Sequence, residues 1–205
     1  MNDFTIFVVD DDEKIRVALK RLLASFGYRV LCFPSAEAFL EQHDPSLPGC
    51  LVLDVVMPGI HGLKLQEQLS AIHCHREIVF LTAQGTIPDS VQAMKAGASD
   101  FLTKPVDRDT LLRAISAAIT RDTEVRHRLE ERLSIEKRLQ RLTPREREVM
   151  QHVVRGQLNK QIASDLRASE KTIKIHRARG MEKMEADSVA TLVHLCALAE
   201  STSSA

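Results

Sequence analysis

The stretch LVLDVVMPG, Leu51 to Gly59, ends a continuous apolar run on one carboxylate, Asp54, then returns to apolar residues before a Pro-Gly turn. A short apolar run closed by turn residues suits a strand buried on both faces. Working outward, four similar runs appear: TIFVVD (5–10), YRVLCF (28–33), EIVFLT (77–82) and DFLT (100–103), with CLVLD (50–54) as the third of five. Between them apolar residues recur at helical spacing, as in Ile15, Ala18, Leu19, Leu22 and Leu23, or Leu111, Leu112, Ile115, Ala118 and Ile119. Five strand-helix units predict an α/β domain, a doubly wound five-stranded parallel sheet with right-handed crossovers and helices on both faces.

Ligands of such sheets bind outside the carboxyl ends of the strands. The first strand ends in Asp10, Asp11 and Asp12, the third in Asp54, the fourth in Thr82 and Ala83, and the fifth runs into Lys104 and Pro105. These polar residues are expected to share one crevice. Asp10, Asp11 and Asp54 would repel one another there unless protonated or neutralised by a cation. Oxygen ligands with room for water suit Mg²⁺ or a similar hard divalent ion. With Lys104 as a second positive centre and Thr82 as a hydrogen-bonding hydroxyl, the set could hold a phosphoryl group on Asp54.

The chain of 205 residues has zero formal net charge, but its parts differ. Residues 1–121 carry −3, residues 122–141 carry +1 and residues 142–205 carry +2. The basic tilt of the last part hints at an anionic partner without arguing nucleic acid unaided. Cys32, Cys50, Cys74 and Cys196 show no CxxC pairing and read as buried thiols in a reducing cytoplasm. No apolar run is long enough to span a membrane, and the N-terminus turns acidic where a signal peptide would stay apolar, so a soluble, cytoplasmic protein with no membrane partner is expected. No Trp and a single Tyr leave little to stack on single-stranded bases.

From about Asp107 a helix is expected to continue through the charged segment 121–141, where Asp122/Arg126 and Glu124/Arg128 are spaced for ion pairs. Val125, Leu129 and Leu133 form a narrow apolar stripe, compatible with a solvated linker or a short coiled coil. At 143–146, TPRE combines Thr at the N-cap, Pro at the first helical position and Glu at the third. Helices are predicted from there to about Gly156, over 159–166, over 169–184 with Ser169 as cap, and over 188–200, ahead of a frayed STSSA tail. Two helices joined by a short turn, the next one rich in Lys, Arg and His, form a helix-turn-helix pattern.

The motifs VVDDD, LVLDVVMPG, FLTAQG and KAGASDFLTKP resemble those of the receiver domains of two-component response regulators, whose sheet is flavodoxin-like. The resemblance implies that Asp54 accepts phosphate from a sensor histidine kinase. It also implies that Asp10 or Asp11, with Asp54 and the backbone carbonyl of Val56, binds Mg²⁺, that Lys104 contacts the phosphoryl group, and that the Lys104–Pro105 peptide is cis. Thr82 and Phe101 match the family's switch pair, with Ala83 alongside. Phe101 has no hydroxyl, so its switching would rely on ring packing. LTPREREVM, GQLNKQIASDL and KTIKIHRARGMEKM resemble the DNA-binding domain of the LuxR/FixJ/NarL group. That implies domains at 1–121 and 142–205 with a helical linker at 122–141, and a recognition helix reading double-stranded promoter DNA. Lys174, Ile175 and Ala178 fall at its major-groove positions. Lys171, Thr172, Arg177 and Arg179 are candidates for the phosphate backbone, the two arginines on exposed faces, and His176 for support of that contact. A homodimer on phosphorylation and RNA polymerase are the further partners implied. Gly180 stands where the group has a bulky apolar residue, and a mid-helix glycine costs about 1 kcal/mol relative to alanine, so a weakened core is expected there.

Weaker signals have ordinary explanations. HCHRE (73–77) sets Cys74 between two histidines, but alternate residues of an extended chain point apart, which disfavours a metal site. Val189, Leu192, Val193 and Leu195 read as the core stripe of the last helix, an adjacent face being free for a dimer contact. A phospho-aspartate hydrolase would carry a second acid two residues after its nucleophile, and that position is Val56; apart from Mg-dependent self-phosphorylation and slow self-dephosphorylation, no enzyme is expected. A constitutive DNA binder with the front domain as a dimerisation module is the remaining alternative.

Overall fold

In strand β1 (Thr5–Val9) every residue is buried, and alternate side chains serve opposite faces. Ile6 and Val8 join one core, Phe7 and Val9 the other. The computed structural model describes residues 4–72, 74 and 76–200. His73 and His75, on which the HCHRE question turns, and the STSSA tail lie outside them. With β2 (Arg29–Phe33), β3 (Gly49–Leu53), β4 (Glu77–Thr82) and β5 (Asp100–Thr103), β1 forms a parallel sheet in the order β2-β1-β3-β4-β5. The expected fold class is observed, and all five strands fall within a residue or so of the predicted runs.

Helices α1 (Glu13–Ser25) and α5 (Arg108–Gln140) cover one face, where Leu19, Leu23, Leu111 and Ile115 meet Ile6, Val8, Val52 and Val79. Helices α2 (Ala36–Gln42), α3 (Gly62–Ala71) and α4 (Ile87–Lys95) cover the other, where Phe39, Leu65, Leu69 and Ala93 meet Phe7, Leu51, Leu53 and Phe80. The order turns around between β1 and β3, whose register pairs Val9 with Leu53. The residues that follow, Asp10 and Asp54, therefore emerge side by side, and Asp54 N–H donates to the Val9 carbonyl at 2.9 Å.

The chain divides into two compact units, residues 1–125 and 126–205, and the division falls inside α5. Asp122, spaced for an ion pair with Arg126, is buried and accepts the Gly49 N–H at 3.0 Å. At Gly49 a Cβ would stand 1.8 Å from the Thr5 carbonyl oxygen, so β3 begins on a position that only glycine fits. Val125, Leu129 and Leu133 are exposed. Cys50 alone of the four cysteines is fully buried; Cys32, Cys74 and Cys196 are half-buried, and none of the four is in a disulfide. Among the described residues no helix is long and apolar enough to cross a membrane.

The second unit contains α6 (Pro144–Val154), α7 (Asn159–Asp165), α8 (Glu170–Lys183) and α9 (Val189–Glu200) around Ile135, Leu142, Val149, Ile162, Ile173, Met184 and Leu192. Thr143 and Glu146 form the expected capping box on α6, and Ser169 caps α8 by accepting the Thr172 N–H. In α9 Leu192 is buried and Val189 and Leu195 half-buried, whereas Val193 turns outward. The expected weak point at Gly180 is filled from elsewhere. A Cβ on Gly180 would lie 2.9 Å from both Sδ and Cε of Met150, so that long, adaptable side chain on α6 occupies the space a larger residue would claim.

This arrangement couples the two positions. Met150→Ala is expected to cost about 2–5 kcal/mol by leaving a cavity. On that background Gly180→Ala should recover about 1 kcal/mol through helix propensity alone. In the parent, where the new methyl meets Met150, the same change should recover less; urea denaturation of the four proteins measures the difference, and strictly additive effects would contradict the packing described.

Candidate phosphoryl site and nucleic-acid interface

Lys104 reaches across the ends of three strands. Its backbone N–H donates to the Thr82 carbonyl at 2.7 Å, and its ammonium lies 2.6 Å from Asp10 Oδ2 and 2.7 Å from Asp54 Oδ2. Both carboxylates are buried, and the Lys104 side chain is 13% exposed, so water does little to screen these contacts. Burial pushes the Asp10 carboxyl up from its ordinary value, against the hydrogen bonds it receives from Lys104 and the Asp12 N–H. Burial works against the charge on Lys104 as well, but the two carboxylates outweigh it and its pKa rises. Arg16 steadies the same strand end, donating to the Asp10 carbonyl at 2.6 Å.

Asp11 is exposed and completes the set: one carboxylate oxygen each of Asp10, Asp11 and Asp54 lies within 4.8 Å of the others. Three carboxylates and one ammonium leave two unbalanced negative charges in an oxygen-rich site, a donor set that fits a hard divalent cation. Beside Asp54 lies a cavity of about 110 Å³ lined by Val56, Thr82, Ala83 and Gln84. The Lys104–Pro105 peptide is cis, as the resemblance implies.

Thr82 is fully buried, and its Oγ1 accepts the Gln84 N–H at 3.3 Å. The half-buried Phe101 ring packs 5.7 Å from that of Phe80. Its far edge rests on Gly85, where a Cβ would stand 2.7 Å from Phe101 Cε1 and 2.8 Å from the Thr82 methyl. Sequence reasoning missed Gly85, although it follows the switch threonine in FLTAQG. It also missed Glu37, whose Oε1 accepts the Ile60 N–H at 2.9 Å and so ties the loop after Asp54 to α2.

On α8, Lys171, Lys174, Ile175 and Ala178 share one exposed stripe, with Arg179 also exposed. Ile173, Gly180 and Met184 form the buried stripe opposite. Arg177 departs from expectation: it is half-buried, and its guanidinium donates to Asn159 Oδ1 of α7 at 3.0 Å, because position 177 sits on the core side of the helix. Thr172 is half-buried within the cap, and His176 is half-buried with Nδ1 enclosed. Lys183 holds the far end of α8 to buried Glu146 at 2.6 Å, and this hydrogen bond, aided by the Thr143 N–H, pulls the Glu146 carboxyl down to about 2. Glu146 was legible as a cap, not as an ion-pair partner.

Fold and site together define an α/β domain with an acidic, lysine-bridged crevice at its carboxyl strand ends, joined to a helix-turn-helix unit. Residues 6–116 match the response regulator receiver domain, and residues 140–196 match the bacterial regulatory proteins of the luxR family. Nodulation protein W of Bradyrhizobium diazoefficiens is 42% identical over 190 residues, covering 93% of this chain and 84% of its own. The transcriptional regulatory protein FixJ of Azorhizobium caulinodans is 41% identical over 194 residues, covering 95% and 92%. Among solved structures, response regulator StyR superposes with a TM-score of 0.89 at 47% identity, over 95% of this chain and 98% of that one. Full-length FixJ from B. japonicum gives 0.60 at 39%, over 97% and 98%. The chain belongs to the response regulators that join a receiver domain to a LuxR-type DNA-binding domain, and is a two-component transcription regulator.

Burial disfavours the charged form of Asp10 in the folded state, and that sets a pH dependence. The penalty applies at neutral pH and disappears as pH falls below the ordinary value of 3.8, where both folded and unfolded chains are protonated. With a chelator present, Asp10→Asn should raise the urea midpoint at pH 7, and the gain should shrink toward pH 4. Equal midpoints at pH 7 would show that Lys104 compensates the burial in full.

Proposed function

We propose that Asp54 is the phosphoacceptor for a sensor histidine kinase, and that its phosphorylation controls dimerisation and promoter binding. The observation that carries this reading is the Lys104 ammonium held on Asp54 and Asp10 beside a small cavity walled by Thr82 and Ala83. Asp10, Asp11, Asp54 and the backbone carbonyl of Val56 would hold Mg²⁺, which supplies charge neutralisation for phosphoryl oxygens. Asp54 attacks phosphorus through a carboxylate oxygen, and the kinase imidazole leaves. Lys104, already 2.7 Å from Asp54, pairs with the oxygens that arrive. Thr82 and the Ala83 region line the space those oxygens enter. Turning the Thr82 hydroxyl toward them removes it from Gln84 and changes the wall on which Phe101 packs. The chain lacks an acid at Val56 to speed hydrolysis, so the phosphoryl group would persist as a signal and the protein would not act as a phosphatase.

Ile87, Val91 and Met94 expose an apolar strip on α4, which suits a homodimer contact beside the switch. In such a dimer two copies of α8 read two half-sites of double-stranded DNA. Lys174, Ile175 and Ala178 meet base edges, Lys171, Thr172 and Arg179 meet phosphates, and Arg177 and His176 brace the helix from its inner side. The segment 122–141 of α5 carries the chain from the receiver domain into the DNA-binding domain, with Asp122 packed in the former and Ile135 in the latter. The protein works in the cytoplasm, with RNA polymerase as a further partner.

The test is to incubate the protein with Mg²⁺ and a small phosphodonor, then record intact mass and dimer fraction beside Asp54→Asn. The wild type should gain one phosphate and dimerise while the variant does neither. A phosphate gained equally by the variant would place the acceptor elsewhere, and a modified wild type that stays monomeric would remove dimerisation from the account.

A further inference from the structure

Helix α2 ends at His43, whose backbone N–H closes the last turn on the Phe39 carbonyl at 2.8 Å. The imidazole folds back over the same turn, stacked on the Phe39 ring at 4.4 Å between centroids, and its Nδ1 lies 3.0 Å from that carbonyl oxygen. A carbonyl only accepts, so Nδ1 carries the proton and Nε2 keeps its lone pair. Nε2 faces the Cys74 sulfur at 3.8 Å. Nucleophile, base, and a third group that orients the base are thus in line, the arrangement that activates thiols elsewhere. Cys74 is half-buried and opens on a cavity of about 220 Å³, whose wall includes Leu69, Ser70, Ile78 and Asp122.

We propose that Cys74 is a modification site, a thiol activated by His43 that reacts with hydroperoxides. His43 Nε2 takes the thiol proton, and the sulfur attacks the nearer peroxide oxygen. The O–O bond breaks, and the departing hydroxide or alkoxide recovers the proton from His43. Sulfur is oxidised by two electrons to the sulfenic acid, and the hydroperoxide is reduced to water or an alcohol. The other cysteines set the contrast. Cys50 is fully buried, and burial pushes its thiol up to about 12. Cys32 gives its S–H to the Arg16 carbonyl, an acceptor that takes no proton away. The site is independent of phosphoryl chemistry: Cys74 precedes β4, whereas Asp54 and Thr82 stand at carboxyl ends of strands, about 20 Å away at 3.3 Å per residue.

The full chain is treated with hydrogen peroxide, sulfenic acid is trapped with dimedone, and the rate at each cysteine is read by peptide mass spectrometry. Cys74 should react markedly faster than Cys32 and Cys196, and His43→Gln should slow it by roughly 100-fold while leaving those two unchanged. Asp54→Asn should react as the wild type does. A Cys74 rate no higher than that of Cys32 would overturn the proposal, as would a rate indifferent to His43→Gln. Cys50 reports on folding: if it becomes reactive in His43→Gln, the order of rates in the wild type alone decides.

Discussion

One ammonium group, that of Lys104, organises the receiver domain's working end. Two carboxylates leave adjacent central strands at the point where the strand order turns round, and both are buried. Without a cation between them, their repulsion in a poorly screened site would oppose the packing that brings the strands together. Lys104 arrives from the edge strand, after a backbone hydrogen bond to Thr82 has fixed where its chain leaves β5. The same contact therefore stabilises the folded sheet and connects Asp54 to the strand that bears Phe101. A change of charge on Asp54 alters what Lys104 must balance, and its neighbours feel the change.

Much of this was legible in the sequence because it depends on local signals. Apolar runs ending in Asp10, Asp54 and Thr82 gave the strands and the crevice, and Thr-Pro-x-Glu at 143–146 gave the start of α6. Long-range contacts were not legible. Nothing near Gly180 says that Met150 fills its space, and nothing near Asp122 says that a carboxylate on a charged helix caps the start of β3. Arg177 looked exposed because its residue type usually is, while its place in the helix, four residues from Ile173 and three from Gly180, sets it on the buried side.

In the DNA-binding unit a few side-chain contacts fix α8 to its neighbours. Lys183 and Glu146 hold its far end to the cap of α6, Arg177 and Asn159 hold its middle to α7, and Met150 closes the gap at Gly180. These braces leave one stripe, Lys171 to Ala178, free of obligations to the core. A rigid helix with one uncommitted face meets a groove without first having to order itself, which is the general advantage of preorganisation.

Charge added at Asp54 is expected to change how α8 meets DNA. The most direct measurement is the affinity for a cognate promoter fragment, by fluorescence anisotropy, before and after treatment with Mg²⁺ and a phosphodonor, repeated at two salt concentrations. Binding should tighten after treatment, weaken with salt as phosphate contacts require, and stay unchanged in Asp54→Asn. Equal affinity of treated and untreated wild type would contradict it and make the protein a constitutive DNA binder.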